Sequence, residues 1–179
     1  MDNTMSQDTQ PTSAIDDFKH AMRRLTATVS LVTTIEGENR YGMVATAVCS
    51  LGVAPPSLLI SVAHTASLHD PLMRSRRFGV NMLSTEQSFL VGPFSGMVKG
   101  KERFAFGEWI RSCHGLPRLL GAQASVFCDV AQTFEHSGHT VVIGTVIETI
   151  YQDAIRPLLY ENGRFVRSEV LESAPIANR

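Results

Sequence analysis

Cysteine is scarce in this chain, with three among 179 residues. Cys49, Cys113 and Cys128 form no CxxC pair. The odd count argues against a disulfide framework and for a reducing, cytoplasmic compartment. No sign of charge dominates: sixteen Lys+Arg stand against seventeen Asp+Glu, a formal net charge of −1. The basic field of a nucleic-acid-binding domain is therefore missing, so no nucleic-acid partner is expected, and any anionic ligand must be held by a local cluster of donors. From Met1 to Pro11 the chain lacks the apolar region of a secretory signal. Between Tyr41 and His69 there is no Lys, Arg, Asp or Glu, and that length could span a bilayer, which takes ~20 apolar residues. Gly52, Pro55 and Pro56 interrupt it, however, and proline both removes a donor and clashes inside a helix. Two buried strands around a Pro-Pro break are expected there, and no membrane span.

Several enzyme signatures are also missing. No GxGxxG follows a strand, so a doubly wound dinucleotide-binding domain has no fingerprint. The loop from Ser95 to Glu102 has Ser and Glu where a phosphate loop requires Gly and Ser or Thr. A GxSxG nucleophile elbow is absent. His136, His139 and the Cys113-His114 pair lack the paired spacing of structural zinc ligands, so no metal is expected. Cys49 has no basic neighbour in sequence to lower its pKa and is expected to be a buried, inert thiol.

What is present is core-forming material and strands. A 44% hydrophobic share supplies one domain, expected over 13–170 between tails at 1–12 and 171–179. Ser13 and Asp16 open an amphipathic helix carrying Ile15, Phe18, Met22 and Leu25. Thr28–Ile35, with Val29, Leu31, Thr33 and Ile35 on one face, turns at Gly37-Glu38-Asn39 into Tyr41–Val48. Ser57–Ala63 is a third strand, His64–Ser75 a helix and Phe78–Met82 a fourth strand. Ser84 and Gln87 form a capping box. Glycine-rich loops and short helical turns fill Val91–Pro117. Two long strands, Gln123–Glu135 and His139–Tyr151, flank the turn at Ser137-Gly138. Asn162-Gly163 marks a hairpin between Leu158–Tyr160 and Arg164–Val166. Short turns between successive strands favour a mainly β (α+β) fold, an antiparallel sheet closing into a barrel with peripheral helices. Hydroxyls and backbone donors cluster between His64 and His69 at a helix start, where phosphate binds well.

The order and spacing of several short segments carry a resemblance. They are Gly42 to Ser50 followed by Ala54-Pro55-Pro56, Ser61-Val62-Ala63-His64 with Ser67, and Arg77 to Leu83 with Gln87. Glu102-Arg103-Phe104, Trp109, Gly138-His139 before Ile143-Gly144, and Pro157 to Tyr160 before Gly163-Arg164-Phe165 complete the set. From about Phe18 to Arg167 the chain resembles the short-chain flavin reductases, the reductase partners of two-component flavin monooxygenases. The resemblance implies an antiparallel split β-barrel with Greek-key-like connections, usually homodimeric, that binds FMN or FAD and reduces it with NADH or NADPH. It implies that Thr46, Ala47, Val48 and Ser50 face the flavin ring and ribityl chain. Ala63, His64 and Ser67 would serve the ribityl and phosphate end, with Lys101 and Arg103 as charge partners and Phe104 near the ring. His139, Tyr160 and Arg164 would meet the nicotinamide. The family often has Asp where Gly138 and Glu102 stand here, which changes the local charge only at Gly138. Hydride transfer needs no enzyme nucleophile, only two rings held at about 3–3.5 Å. The alternatives are a non-catalytic or electron-carrying flavin-binding module on the same barrel, and a barrel that binds no flavin.

Overall fold

The computed structural model describes residues 13–171; the tail expected at 1–12, and all but the first residue of that at 171–179, lie outside them. Helix α1 (Ala14–Met22) begins at the expected cap, where Ser13 Oγ accepts the Asp16 N–H at 3.2 Å. Its apolar residues Ile15, Phe18 and Met22 are exposed, as is Leu25 just beyond it. Nothing among the described residues covers that face.

The expected strand from Thr28 divides into β1 (Ala27–Thr28) and β2 (Ser30–Glu36). A hairpin with Gly37 at φ +59° leads into β3 (Asn39–Ala45). Next come β4 (Val48–Val53), β5 (Pro56–Ala63), helix α2 (His69–Ser75) and β6 (Arg77–Met82). Strands β7 (Trp109–Arg111) and β8 (Pro117–Leu119) form a hairpin that starts inside the stretch expected to hold only loops and helical turns, Val91–Pro117, and ends just beyond it. The long pair β9 (Ala124–His136) and β10 (His139–Tyr151) appears as expected. The hairpin β11 (Leu159–Glu161) and β12 (Arg164–Val166) also appears, with Asn162 and Gly163 both at positive φ, as such a two-residue turn requires.

Seven strands form one antiparallel sheet in the order β3-β2-β6-β9-β10-β5-β4. Its two edges, β3 and β4, are consecutive in the chain, with only Thr46 and Ala47 between Ala45 and Val48. Three peptide steps reach about 11 Å at most. A flat sheet of this width would hold its edges roughly 29 Å apart at ~4.8 Å per gap. The sheet must therefore curl until its edges meet at Thr46-Ala47. No ladder joins β3 to β4 among the described residues, so the mainly β, antiparallel class holds while the expected closure into a hydrogen-bonded barrel does not. Instead, the Ser61 N–H donates to the Ala47 carbonyl at 3.2 Å.

Strand β2 is buried on both faces from Ser30 to Thr34, in place of the one-sided pattern that alternation suggests. Val32 packs with Phe78 and with Leu68 and Leu72 at the start of α2, while Leu31 packs on the other side with Leu83, Leu90, Phe94 and Phe104. Helix α2 is shorter than expected because residues 64–68 form turns. Cys49 is exposed rather than buried, since β4 is an edge strand and the chain leaves its residues from Cys49 to Val53 uncovered. Cys128 is the buried thiol, and burial pushes it up to about 12. No helix among the described residues is long and apolar enough to cross a membrane.

One buried amide ties the β7–β8 hairpin to the sheet. Asn81 Oδ1 accepts the Leu119 N–H at 3.0 Å and the Ser125 hydroxyl at 2.9 Å. Its Nδ2 donates to Thr33 Oγ1 at 3.3 Å, and Thr33 in turn donates to the Pro117 carbonyl at 3.0 Å. Substituting Asn81→Ala strands two buried donors and is expected to lower stability by about 2–3 kcal/mol. Urea unfolding followed by far-ultraviolet circular dichroism measures it.

Candidate functional site

The short helical segment Gly100–Ala105 lies against β3 and carries Lys101 and Arg103, the two expected charge partners. Arg103 is buried, 7% exposed, and one guanidinium nitrogen donates to the Gly42 carbonyl. Its Nε has no partner among the described residues, and burial draws the guanidinium below its ordinary value. It remains a cation, as arginine does in proteins. A buried cation with an unused donor is costly until an anion meets it.

A 270 Å³ cavity opens beside it, lined by Asn39, Arg40, Tyr41, Gly42, Ser67, Gly100, Lys101 and Arg103. Three of these are cations and none is a carboxylate, so the field in the cavity favours an anion. Ser67 is thus brought together with Lys101 and Arg103, which lie far from it in sequence. Asn39, Arg40 and Tyr41 were missed. Arg40 looks like an ordinary hairpin charge, but strand alternation sets it on the same side of β3 as Gly42, and that spacing was the available signal.

Aromatic rings back the cavity wall. Phe104 does not line the cavity; it sits behind it, with the Arg40 guanidinium 4.7 Å from its ring centroid. Phe94 and Trp109 pack against Phe104 with centroids 5.2 and 4.9 Å away. A Cβ on Gly42 would come within 2.7 Å of Phe94 and 3.2 Å of Phe104, so only glycine lets β3 pass this cluster.

From Gly42 the chain runs four residues along and just past β3 to Thr46, roughly 13 Å at 3.3 Å per residue. That length suits an elongated ligand with its anionic end in the cavity and its flat end at the seam. Thr46, Ala47 and Ser50 are exposed there and Val48 is half-buried. The small side chains leave backbone accessible on the open edge.

On the other side of Ser67, a hydrogen-bond chain fixes the turn after β5. His69 bonds Asp70 through Nδ1 at 2.8 Å and the buried Thr140 hydroxyl through Nε2 at 2.9 Å. Thr140 donates to Glu135 Oε1 at 2.8 Å, and Glu135 Oε2 meets His64 Nε2 at 2.5 Å. The Thr140 hydroxyl, with smaller help from His64, holds the Glu135 carboxyl below its ordinary 4.5. His64 is thus tethered by its ring. Ala63, half-buried, pairs in register with the exposed His139, whose Nδ1 lies 3.3 Å from the Ser137 carbonyl. Tyr160 and Arg164 are not brought to this site; they lie on the separate β1-β11-β12 sheet, Tyr160 packed near Phe165 with centroids 5.8 Å apart. Asp70, Glu135 and Thr140 carried no recognisable sequence signal for this network.

Strands curled to an open seam, with an acid-free cationic cavity at one end, give the chain a cleft whose shape and charge suit a long, flat, anionic ligand. Residues 22–169 match the flavin reductase like domain, and the chain belongs to that family. It is 38% identical over 157 residues to the reductase component of the FADH(2)-dependent resorcinol hydroxylase of Rhizobium sp. strain MTP-10005, covering 87% of this chain and 88% of that one. It is 34% identical over 148 residues to the FMN reductase (NADH) RutF of Pseudomonas syringae pv. syringae, covering 83% of each. Among solved structures, the NADH:FAD oxidoreductase SgcE6 of Streptomyces globisporus superposes with a TM-score of 0.82 at 25% identity, over 92% of this chain and 99% of that one.

The Glu135 network has a definite pH signature. A carboxyl held below its unfolded value contributes stability above that value and loses it as pH falls through the folded one. Urea midpoints of the wild type and Glu135→Gln should therefore differ above pH 4.5 and converge below it.

Proposed function

We propose that this chain is an NAD(P)H-dependent flavin oxidoreductase of the EC 1.5.1.- type, with residues 13–170 as its working unit, supplying reduced FMN or FAD to a separate monooxygenase. The observation that carries the reading is the unpaired Nε of buried Arg103, on a cavity that also holds Arg40 and Lys101 and no acid. A flavin phosphate fits that donor set: Arg103 and Lys101 would hold it by charge-assisted hydrogen bonds, with Ser67 as a neutral donor. When bound, the flavin supplies the ring that accepts hydride from the dihydronicotinamide.

The protein's own contribution is positioning. Thr46, Ala47, Val48 and Ser50 offer the ring a shelf of small groups at the seam, in what we read as a split barrel. Ala63 and His64 flank the ribityl chain, His64 held in place by Glu135. His139, beside Ala63 in the ladder, is our choice for orienting the nicotinamide. Tyr160 and Arg164 line no part of the cavity, so a nicotinamide role for them would be exercised across a subunit contact.

The reading includes a homodimer. Edge strand β4 exposes Leu51 and Val53, and α1 exposes Ile15, Phe18 and Met22, more apolar surface than scattered single residues explain. It also places the protein in the cytoplasm, on the strength of its three free cysteines.

Purified protein with added FMN or FAD should oxidise NADH or NADPH catalytically, read as loss of absorbance at 340 nm, an instrument setting fixed by the nicotinamide. No turnover with either nucleotide, but quenching of flavin fluorescence, would leave a flavin-binding module; no quenching would remove both. Lys101→Ala should raise the flavin KM about tenfold with kcat nearly unchanged, a loss of ~1.4 kcal/mol of uniform binding. His139→Ala should raise the nucleotide KM while flavin affinity holds.

A further inference from the structure

Away from the cationic cavity, the β7–β8 hairpin turns through Ser112, Cys113, His114 and Gly115. That turn is fixed from within. The Ser112 hydroxyl, 8% exposed, accepts the N–H groups of His114 and Leu116, both at 3.2 Å. The Ser112 N–H donates to the Leu116 carbonyl at 2.8 Å, and the Gly115 N–H to the Ser112 carbonyl at 3.0 Å. Gly115 sits at φ +81°, a conformation few other residues adopt. The turn presents Cys113 and His114 side by side to β10, where a register shift between Val146 and Glu148 interrupts the ladder with β9. Cys113 Sγ lies 2.9 Å from Glu148 Oε2, and one ligand atom from each of Cys113, His114 and Glu148 lies within 4.8 Å of the other two.

We propose that Cys113, His114 and Glu148 form a Zn²⁺ site that clips the β7–β8 hairpin to β10, with solvent at the fourth position. Tetrahedral zinc with ordinary Zn–S, Zn–N and Zn–O bond lengths holds its ligands roughly 3–4 Å apart. Small side-chain rotations take the present separations to that geometry. One thiolate, one imidazole and one carboxylate are a donor set that borderline divalent ions favour over Mg²⁺ or Ca²⁺. On binding, the S–H bond of Cys113 is replaced by S–Zn, its proton goes to solvent, and the Glu148 oxygen that accepted it becomes a ligand. No oxidation state changes. The competing cluster of His64, His69 and Glu135 is different, because His64 Nε2, both His69 ring nitrogens and both Glu135 oxygens are already engaged with one another, with Asp70 and with Thr140. The His114 ring has no hydrogen-bond partner among the described residues, so its nitrogens are available.

The site is independent of the flavin reading, since none of its three residues lines the cavity. The test is titration of Co²⁺, as a spectroscopic stand-in for Zn²⁺, into chelator-stripped, reduced full-length protein. The expected result is saturation at one Co²⁺ per chain, with a sulfur-to-cobalt charge-transfer band and intense visible bands of a tetrahedral ion, all bleached by Zn²⁺. Cys113→Ser should abolish the charge-transfer band, and His114→Ala or Glu148→Gln should weaken Co²⁺ binding at least tenfold, as expected for loss of one of three ligands. Cys49, the other exposed thiol, is the control, and Cys49→Ser should keep the band. Zn²⁺ should raise the thermal midpoint of the wild type but not of Cys113→Ser. Absence of a saturable band, its survival in Cys113→Ser, or its loss in Cys49→Ser would overturn the proposal. Should Cys113→Ser not fold, unchanged Co²⁺ affinity in His114→Ala, altered only on the exposed turn, would overturn it equally.

Discussion

Two residues, Thr46 and Ala47, impose the shape of this molecule. They connect strands that lie at opposite edges of a seven-stranded sheet, and a link so short cannot cross a flat one. Curling follows from chain length alone. Once the edges have met, the sheet encloses one apolar cluster around Phe78 and leaves the other, around Phe94 and Phe104, behind the cavity wall. The lack of a ladder between β3 and β4 among the described residues leaves their backbones open at the junction.

The cationic cavity depends on that curl and on its aromatic backing. Phe94, Phe104 and Trp109 pack edge to face or tilted, and Gly42 alone allows β3 to lie against them. That packing holds the Gly42 carbonyl where Arg103 donates to it, and holds Arg40 over Phe104. A buried guanidinium with an unused nitrogen is a poor way to stabilise an empty protein. It becomes favourable only with an anion in reach, which is why the cavity is better explained by binding than by folding.

Much of the fold was legible because its signals are local. The capping residues Ser13 and Ser84, the turn at Asn162-Gly163 and the long β9–β10 pair each follow from a few adjacent residues, and each is where the sequence places it. The failures share another cause. Strand β4 and the β7–β8 hairpin are short, and nothing local distinguishes Val48–Val53 from the core strands beside it. Its exposure, and that of Cys49, depends on its edge position in the sheet. β2 broke the alternation rule because elements distant in sequence cover both of its faces. Ser67, Lys101 and Arg103 were named through family resemblance alone, and the structure gathers them around one cavity. Arg40 and Glu135 were not found, since each acquires its role from a partner many positions away, Phe104 for the one and His64 with Thr140 for the other.

The unzipped junction at Thr46-Ala47 also bears on motion. Strands within a ladder can separate only by breaking several backbone hydrogen bonds together, whereas β3 and β4 share none. The two margins can therefore part or draw together while every rung of the sheet stays intact, a hinge made by omission of pairing rather than by a flexible loop.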